Sequence, residues 1–387
     1  MLNRRDFLRL SSALAASSFT LTSPWQRALS QTVAGPGPYG PLGPPDENGI
    51  QLPRGFRSSV VAVSREPVPG TDFPWHVFPD GGATFPTDDQ GWIYVSNCEF
   101  VVGGGASAIR FDPAGRIVDA YSICSGTGLN CAGGKTPWGT WLTCEEFPAG
   151  GVFECDPLGR VPAERRPALG TFQHEAAAVD PATGIVYLTE DVPSGRFYRC
   201  VPDAWGDLTS GRLQVAQVGA QGDVVWHDVP VPNPRIPGGT PTRAQVPAST
   251  AFNGGEGIAQ SRGHVYFTTK GDDRVWDYVP RREKIGVLYD GVATPDLPLS
   301  GVDNITASRN GDLLVAEDGD DMELVLITPE LEVTPLLRVI GQDHSELAGP
   351  AFDPGGRRLY VSSQRGGPDG FGITYEIRGP FAKSAGR

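Results

Sequence analysis

A bulky residue, an apolar residue and a small residue follow one another at six places along the chain. They are Tyr94-Val95-Ser96, Trp141-Leu142-Thr143, Tyr187-Leu188-Thr189, Tyr266-Phe267-Thr268, Leu314-Val315-Ala316 and Tyr360-Val361-Ser362. The first residues of these triplets are 47, 46, 79, 48 and 46 positions apart. A recurrence of roughly 40 to 50 residues, with several short strands per unit, predicts a β-propeller. In several units an apolar strand turns on Asp-Pro or Asn-Gly and returns through the triplet, as in "AAAVDPATGIVYLTED", "NITASRNGDLLVAEDGDD" and "PAFDPGGRRLYVSSQRG". Those are the turn residues of hairpins. The expected fold is all-β, a six-bladed β-propeller over residues 51–380, and the even spacing argues against a generic sandwich. The one long gap takes in residues 203–250, rich in Pro, Gly and Gln, which read as an insertion between blades three and four.

The 51 glycines and 36 prolines fall between short apolar runs without a fixed period, which fits tight turns better than collagen or disorder. The first thirty residues break the pattern. Asn3-Arg4-Arg5-Asp6-Phe7-Leu8 precedes a stretch of small and apolar residues ending Ala28-Leu29-Ser30, an A-x-S cleavage pattern. Residues 1–30 therefore resemble a twin-arginine signal peptide, an address read by the translocation machinery. Residues 31–50, rich in Pro and Gly, read as a linker. No later segment approaches the roughly 18 to 20 apolar residues of a membrane span. A periplasmic or secreted protein is expected.

Removing residues 1–30 takes away four arginines and one aspartate, moving the formal net charge from −13 to −16. Such a field repels nucleic acid and anionic lipid and attracts multivalent cations. Neither nucleic acid nor membrane is expected as a partner. For a phosphate substrate, metal would have to reverse the sign locally. The even number of cysteines (Cys98, Cys124, Cys131, Cys144, Cys155 and Cys200) permits disulfides in an exported protein, but the pairing is not readable.

In a propeller blade, a residue just before the innermost strand and one just after the second strand lie on the same face, near the axis. Both places are repeatedly acidic in this chain. Glu175, Glu256, Asp303 and Glu346 precede inner strands, and Glu99, Glu145-Glu146, Glu190-Asp191, Asp272-Asp273 and Glu317-Asp318 follow second strands. In "TPWGTWLTCEE" the tryptophans are expected to pack between sheets, with Cys144, Glu145 and Glu146 emerging at the axis. Crowded carboxylates must either take up protons or be neutralised by cations. Oxygen ligands suit calcium, and a thiolate or imidazole beside them suits iron. Asp272-Asp273 and Asp320-Asp321 read better as solvated turns. Cys131, in a Gly-rich turn, suits ligation better than packing. His174 is either a ligand or a histidine satisfied by a neighbouring carbonyl, and Cys98 is open between ligand, buried residue and half-disulfide. The chain has no G-x-S-x-G elbow, no phosphate-binding G-x-x-x-x-G-K-[ST], no H-E-x-x-H and no complete EF-hand loop. That argues against serine hydrolases and nucleotide enzymes.

The runs "NCAGGKTPWGTWLTCEE", "FQHEAAAVDPATGIVYLTED" and "GRFYR" resemble the PhoX-type alkaline phosphatases. With "VDNITASRNGDLLVAEDGDD" and "SELAGPAFDPGGRRLYVSSQRG", the resemblance covers about residues 50 to 375. It implies a six-bladed propeller whose mouth binds ferric iron (Fe3+) and calcium (Ca2+) and hydrolyses phosphate monoesters. Carried over by motif, Cys131, Glu146, Glu175 and Glu256 would be cluster ligands, with Cys131 on iron. Glu99, Asp303 and Glu346 would be further acidic ligands. Glu175 and Glu256 would also serve catalysis.

Two departures stand out. Gly254 occupies the place, two residues before Glu256, where the family's phosphatases place an arginine that grips phosphate bidentately. Cys98 stands where "Asn-His-Glu" is usual. Lys270 is the candidate replacement cation. The function expected is a PhoX-like metal-dependent hydrolase of a small phosphate monoester. Alternatives are a calcium-dependent hydrolase of another ester or lactone, and a noncatalytic metal-binding propeller.

Overall fold

The computed structural model describes residues 32–319, 321–367 and 369–381, so the signal-peptide region and Asp320 lie outside the described residues. Six sheets of four to six strands, antiparallel but for one short added strand, surround one axis. Their innermost strands are Pro79–Pro86, Asn130–Lys135, His174–Val179, Gly255–Ser261, Val302–Ala307 and Leu347–Phe352, here defining blades one to six. Each inner strand packs on the next and the sixth returns to the first, closing the ring. The six triplets all fall on the second strands: Trp92–Cys98, Trp141–Glu145, Val186–Glu190, His264–Thr269, Leu313–Glu317 and Arg358–Ser363. The even spacing was therefore one blade per triplet.

Blade six is finished by the chain's own beginning. Arg57–Val63 pairs antiparallel with Ile373–Arg378 as its outer strand. This hides two sheet edges that would otherwise stay open. The residues read as a linker are also tied down. Val33–Ala34 runs parallel to Glu332–Val333, and Ile50–Gln51 pairs with Arg338–Val339, both on the outer strand of blade five. The stretch read as an insertion is divided. Asp207–Val218 and Val224–Asp228 are the outer strands of a five-stranded blade three, and only the segment beyond them is a long connection.

The hydrophobic core is six seams between neighbouring blades, five built from residues of two sheets and one, between blades three and four, that also takes in Ala132 of blade two. Inner strands are short of large side chains because they crowd the axis. A Cβ on Gly134 would lie 2.0 Å from the Ala177 carbonyl of the next blade, and one on Gly257 would lie 2.6 Å from the Ile305 nitrogen. The Gly- and Ala-rich strands leave a channel of about 440 Å³ along the axis. Bulk is placed further out, where wedge-shaped gaps widen. Phe197 of blade three stacks on Phe267 of blade four with ring centroids 4.6 Å apart, and both are fully buried. Tyr94 stacks on Tyr360 at 4.7 Å across the closing seam.

None of the six cysteines is disulfide-bonded in the structure, and all are buried. Phe197→Ala is expected to lower stability by about 3–5 kcal/mol, the usual cost of emptying a buried aromatic site. Denaturant unfolding measures it, and a loss below about 1 kcal/mol would show a seam that collapses freely around the gap.

Candidate metal centre at the propeller mouth

Every inner strand slips register against its partner near the same end. The slips fall between Pro79 and Gly82, Asn130 and Gly133, His174 and Ala177, Gly255 and Ile258, Val302 and Ile305, and Ala348 and Ala351. A β-bulge adds a residue and re-aims side chains. In five blades the first residue of the bulge is Asp80, Cys131, Glu175, Glu256 or Asp303. In blade six the slip comes later, and the acid is Glu346, just ahead of the strand.

A second set comes from the ends of the second strands. The backbone N–H groups of Glu99, Glu146, Lys270, Asp318 and Gln364 donate to the carbonyls of Phe78, Leu129, Gly254, Gly301 and Glu346. In each case the acceptor immediately precedes the inner strand, so these five residues occupy one equivalent position in five blades.

The two sets meet at the axis. One donor atom each from Glu99, Cys131 and Glu146 lies within 4.8 Å of the other two. The same holds for Asp80, Glu99 and Glu346, for Glu175, Glu256 and Asp303, and for Asp303, Asp318 and Glu346. All the expected metal ligands are thus brought together. The Cys131 thiol donates to Glu175 Oε1 at 3.1 Å, and the Gln173 amide to Glu146 Oε1 at 3.1 Å. The Gln364 amide donates to Glu99 Oε2 at 2.8 Å and also to Asp80 Oδ2. Lys270 Nζ lies 3.2 Å from Glu256 Oε1, 3.2 Å from Asp303 Oδ2 and 3.1 Å from Asp318 Oδ2. Arg365 reaches Glu346 Oε2 at 2.8 Å and Glu99 Oε2 at 3.7 Å.

Burial and mutual repulsion raise the proton affinity of most of these acids. Burial, then Glu99 and Asp303, push Asp80 to about 8. Glu175 is driven well above the carboxylate range by burial and then by Glu256, Glu146 and Asp303. Glu346 is raised the same way, by burial and Asp318, although Arg365 opposes the shift. Burial and four surrounding acids also push the Cys131 thiol up. Asp318 goes the other way: burial raises it, but Lys270, a hydrogen bond with Glu346 and the charge of Arg365 together outweigh that burial.

The donor set fits bound cations. Glu175 Oε2 is buried with no hydrogen-bond partner among the described residues, and such an oxygen is costly unless an ion or proton meets it. Carboxylates suit a hard cation such as calcium, and the thiol beside Glu99 and Glu146 suits a transition metal.

Other expectations are corrected by where strands turn their side chains. Cys144 is buried in the seam between blades two and three, away from the mouth. Glu145 accepts the Gly128 and Gly151 backbone N–H groups at 3.3 and 3.1 Å, a loop-fixing role. Only Glu146 of that run faces the axis acids. His174 is a buried, carbonyl-bound histidine outside the donor groups: Nε2 meets the Gly170 carbonyl at 3.3 Å, Nδ1 has no partner among the described residues, the ring stacks on Phe172 at 3.6 Å, and burial depresses its pKa to about 3. Cys98 is buried, raised to about 11 by that burial, and belongs to none of the four donor groups. Trp141 does pack between blades, and its indole N–H also donates to Asn97 Oδ1 at 2.9 Å. The Asn97 amide in turn holds the Cys131 and Ala132 carbonyls at 3.1 and 2.8 Å, which fixes the bulge carrying the thiol. Asp272 and Asp273 hold Arg274 and the Val302 N–H, as a structural turn does.

Asp80, Asp318, Gln364 and Arg365 complete the mouth beyond the residues chosen from the sequence as its ligands. "FPDGGATFP" carried the signal for Asp80, an acid at the start of the first inner strand, and Asp318 follows its second strand as Glu99 does. Gly254 has φ of 69°. An arginine there would take a left-handed conformation that costs about 1–2 kcal/mol.

A six-bladed propeller with a ring of acids at one mouth defines the class. No curated protein matches the chain. The family profile described as "Alkaline phosphatase PhoX" matches residues 103–151 and 147–292. The chain belongs to the PhoX alkaline phosphatase family. Among solved structures, a gluconolactonase from Xanthomonas campestris is similar with TM-score 0.51 and 10% identity, over 89% of this chain and 99% of that one. A protein of unknown function from Bacteroides thetaiotaomicron has TM-score 0.54 and 9% identity, over 84% and 76% of the two chains. These likenesses show the propeller fold.

The raised acids give a pH test on metal-free protein. The folded chain keeps protons that the unfolded chain releases above about pH 4, so stability falls as pH rises through the window from about 4 to 8 set by Asp80. The thermal midpoint of chelator-treated protein is expected to drop from about pH 5 to about pH 8, and added calcium to restore it mainly at the higher pH. A midpoint that rises over this window and ignores calcium would contradict the proposed crowding.

Proposed function

We propose that this protein is a metal-dependent hydrolase of small phosphate monoesters, working at the propeller mouth with calcium and ferric iron. One observation carries the reading. Eight carboxyl groups and a thiol from all six blades converge on one end of the axis in a member of the PhoX family. Cys131, Glu99 and Glu146 would hold iron, and the remaining acids calcium. A multivalent cation bound there would polarise phosphoryl oxygens and neutralise substrate charge.

The chain's own residues supply placement. Asn97 fixes the Cys131 bulge, Gln364 orients Asp80 and Glu99, and Gln173 orients Glu146. Glu175 and Glu256, both almost fully buried, keep their carboxyl groups away from bulk water. The Arg4-Arg5 run at the N-terminus supports a periplasmic or secreted place of action after twin-arginine export.

A second reading is favoured by Gly254. The position from which the family's arginine would grip phosphate has no side chain, and its left-handed backbone resists one. The same mouth then serves another ester or a lactone.

Protein exported from its native host, with metal content measured, separates the readings. Hydrolysis of a chromogenic phosphate monoester that is abolished by chelation supports the first. Glu175→Gln and Glu256→Gln are each expected to lower that rate by about 10²-fold or more. A metal-loaded protein that leaves phosphate monoesters intact but opens a lactone would install the second.

A further inference from the structure

Lys270 breaks the symmetry of the mouth. By the shared backbone hydrogen bond it is the blade-four counterpart of Glu99, Glu146 and Asp318. Three blades place a carboxylate at this position, blade six places Gln364, and blade four places an ammonium. The backbone and the register are the same, and only the sign of the side chain differs.

The ammonium has the surroundings of a bound ion. Its three nearest acids come from two blades, Glu256 from blade four with Asp303 and Asp318 from blade five. All three oxygens lie between 3.1 and 3.2 Å from Nζ. An ammonium has three protons to donate, so three carboxylate oxygens satisfy it. Those acids also belong to two of the four donor groups, which share Asp303. Lys270 therefore stands between two places where a cation would be held.

Arg365 does not duplicate this role. It pairs closely only with Glu346, at 2.8 Å, and its second acid, Glu99, is 3.7 Å away, so it stands beside the donor groups and not within a triad of oxygens.

We propose that the Lys270 ammonium is a tethered cation of the mouth. It occupies the position between blades four and five that a divalent ion would otherwise take. The mouth of this chain accordingly binds one metal ion fewer than its acids alone would support. Part of its charge compensation is then encoded in the chain and survives chelation. Glu256 and Asp303 are shared between the ammonium and the neighbouring ions, so the lysine also fixes the direction of two carboxylates on which those ions depend. This rests on the reading of the mouth as a metal centre.

The test is a count of ions per chain, by elemental analysis and calorimetric titration with calcium, on native protein and Lys270 variants. Lys270→Gln and Lys270→Met remove the charge, and each is expected to bind one more calcium ion per chain than native protein. Lys270→Arg keeps a positive charge and is expected to leave the count unchanged. The thermal midpoint of Lys270→Gln is also expected to depend on calcium more steeply than that of native protein. An unchanged count in Lys270→Gln and Lys270→Met overturns the inference while leaving the metal centre intact. Native protein that binds no ion overturns the metal-centre reading instead. If the neutral variants fold only with calcium, their requirement for the ion supports the inference. If they do not fold at all, Lys270→Arg decides: an extra ion there overturns the inference, and the native count with native stability upholds it.

Discussion

Like charges held at the end of a narrow axis repel one another. In this protein Asp80, Glu99, Glu146, Glu175, Glu256, Asp303, Asp318 and Glu346 have little room to move apart. Most hang from bulged inner strands or from second-strand ends pinned by backbone hydrogen bonds, and the strands are clamped by the blades on either side. A flexible acidic loop would relieve such crowding by swinging into water. A propeller mouth cannot, so the repulsion must be answered where it arises, by protons, by protein cations or by bound ions. The raised proton affinity of Asp80, Glu175 and Glu346 is that demand expressed without metal.

The rest of the architecture makes such a mouth possible. Large residues are kept out of the inner strands, so the six strands approach closely enough for acids on different blades to share an ion. Bulk is moved to the seams, where Phe197, Phe267, Tyr94 and Tyr360 fill the widening gaps. Closure by Arg57–Val63 matters for the same reason. An open ring would let the seams spread and the donor groups drift apart. Stability at the rim and geometry at the axis are therefore coupled, although they are carried by different residues.

The protein answers part of the repulsion itself. Lys270 meets three acids and Arg365 two, on the arc formed by blades four, five, six and one. The opposite arc, around Cys131, Glu146 and Glu175, has neutral partners such as Gln173 and a thiol proton. That asymmetry divides the mouth into a side supplied with positive charge by Lys270 and Arg365 and a side whose acids meet neutral partners.

The blade count, the second strands and most of the acids that reach the mouth were legible in the sequence. Small and bulky residues recur at fixed intervals because every blade solves the same packing problem. The departures have physical causes too. In Cys144-Glu145-Glu146 three polar neighbours look alike on paper, but alternation along a strand sends Cys144 into a seam and lets Glu145 cap a loop. The strands within 203–250 were hidden by their turn-rich surroundings. By itself, the sequence determined that a propeller would form and that acids would stand at both ends of its inner hairpins. Only the tertiary structure decided which of those acids face one another and that Lys270 sits among three of them. Those neighbours come from different blades, and contact between them depends on bulge position and ring closure, which no local pattern records.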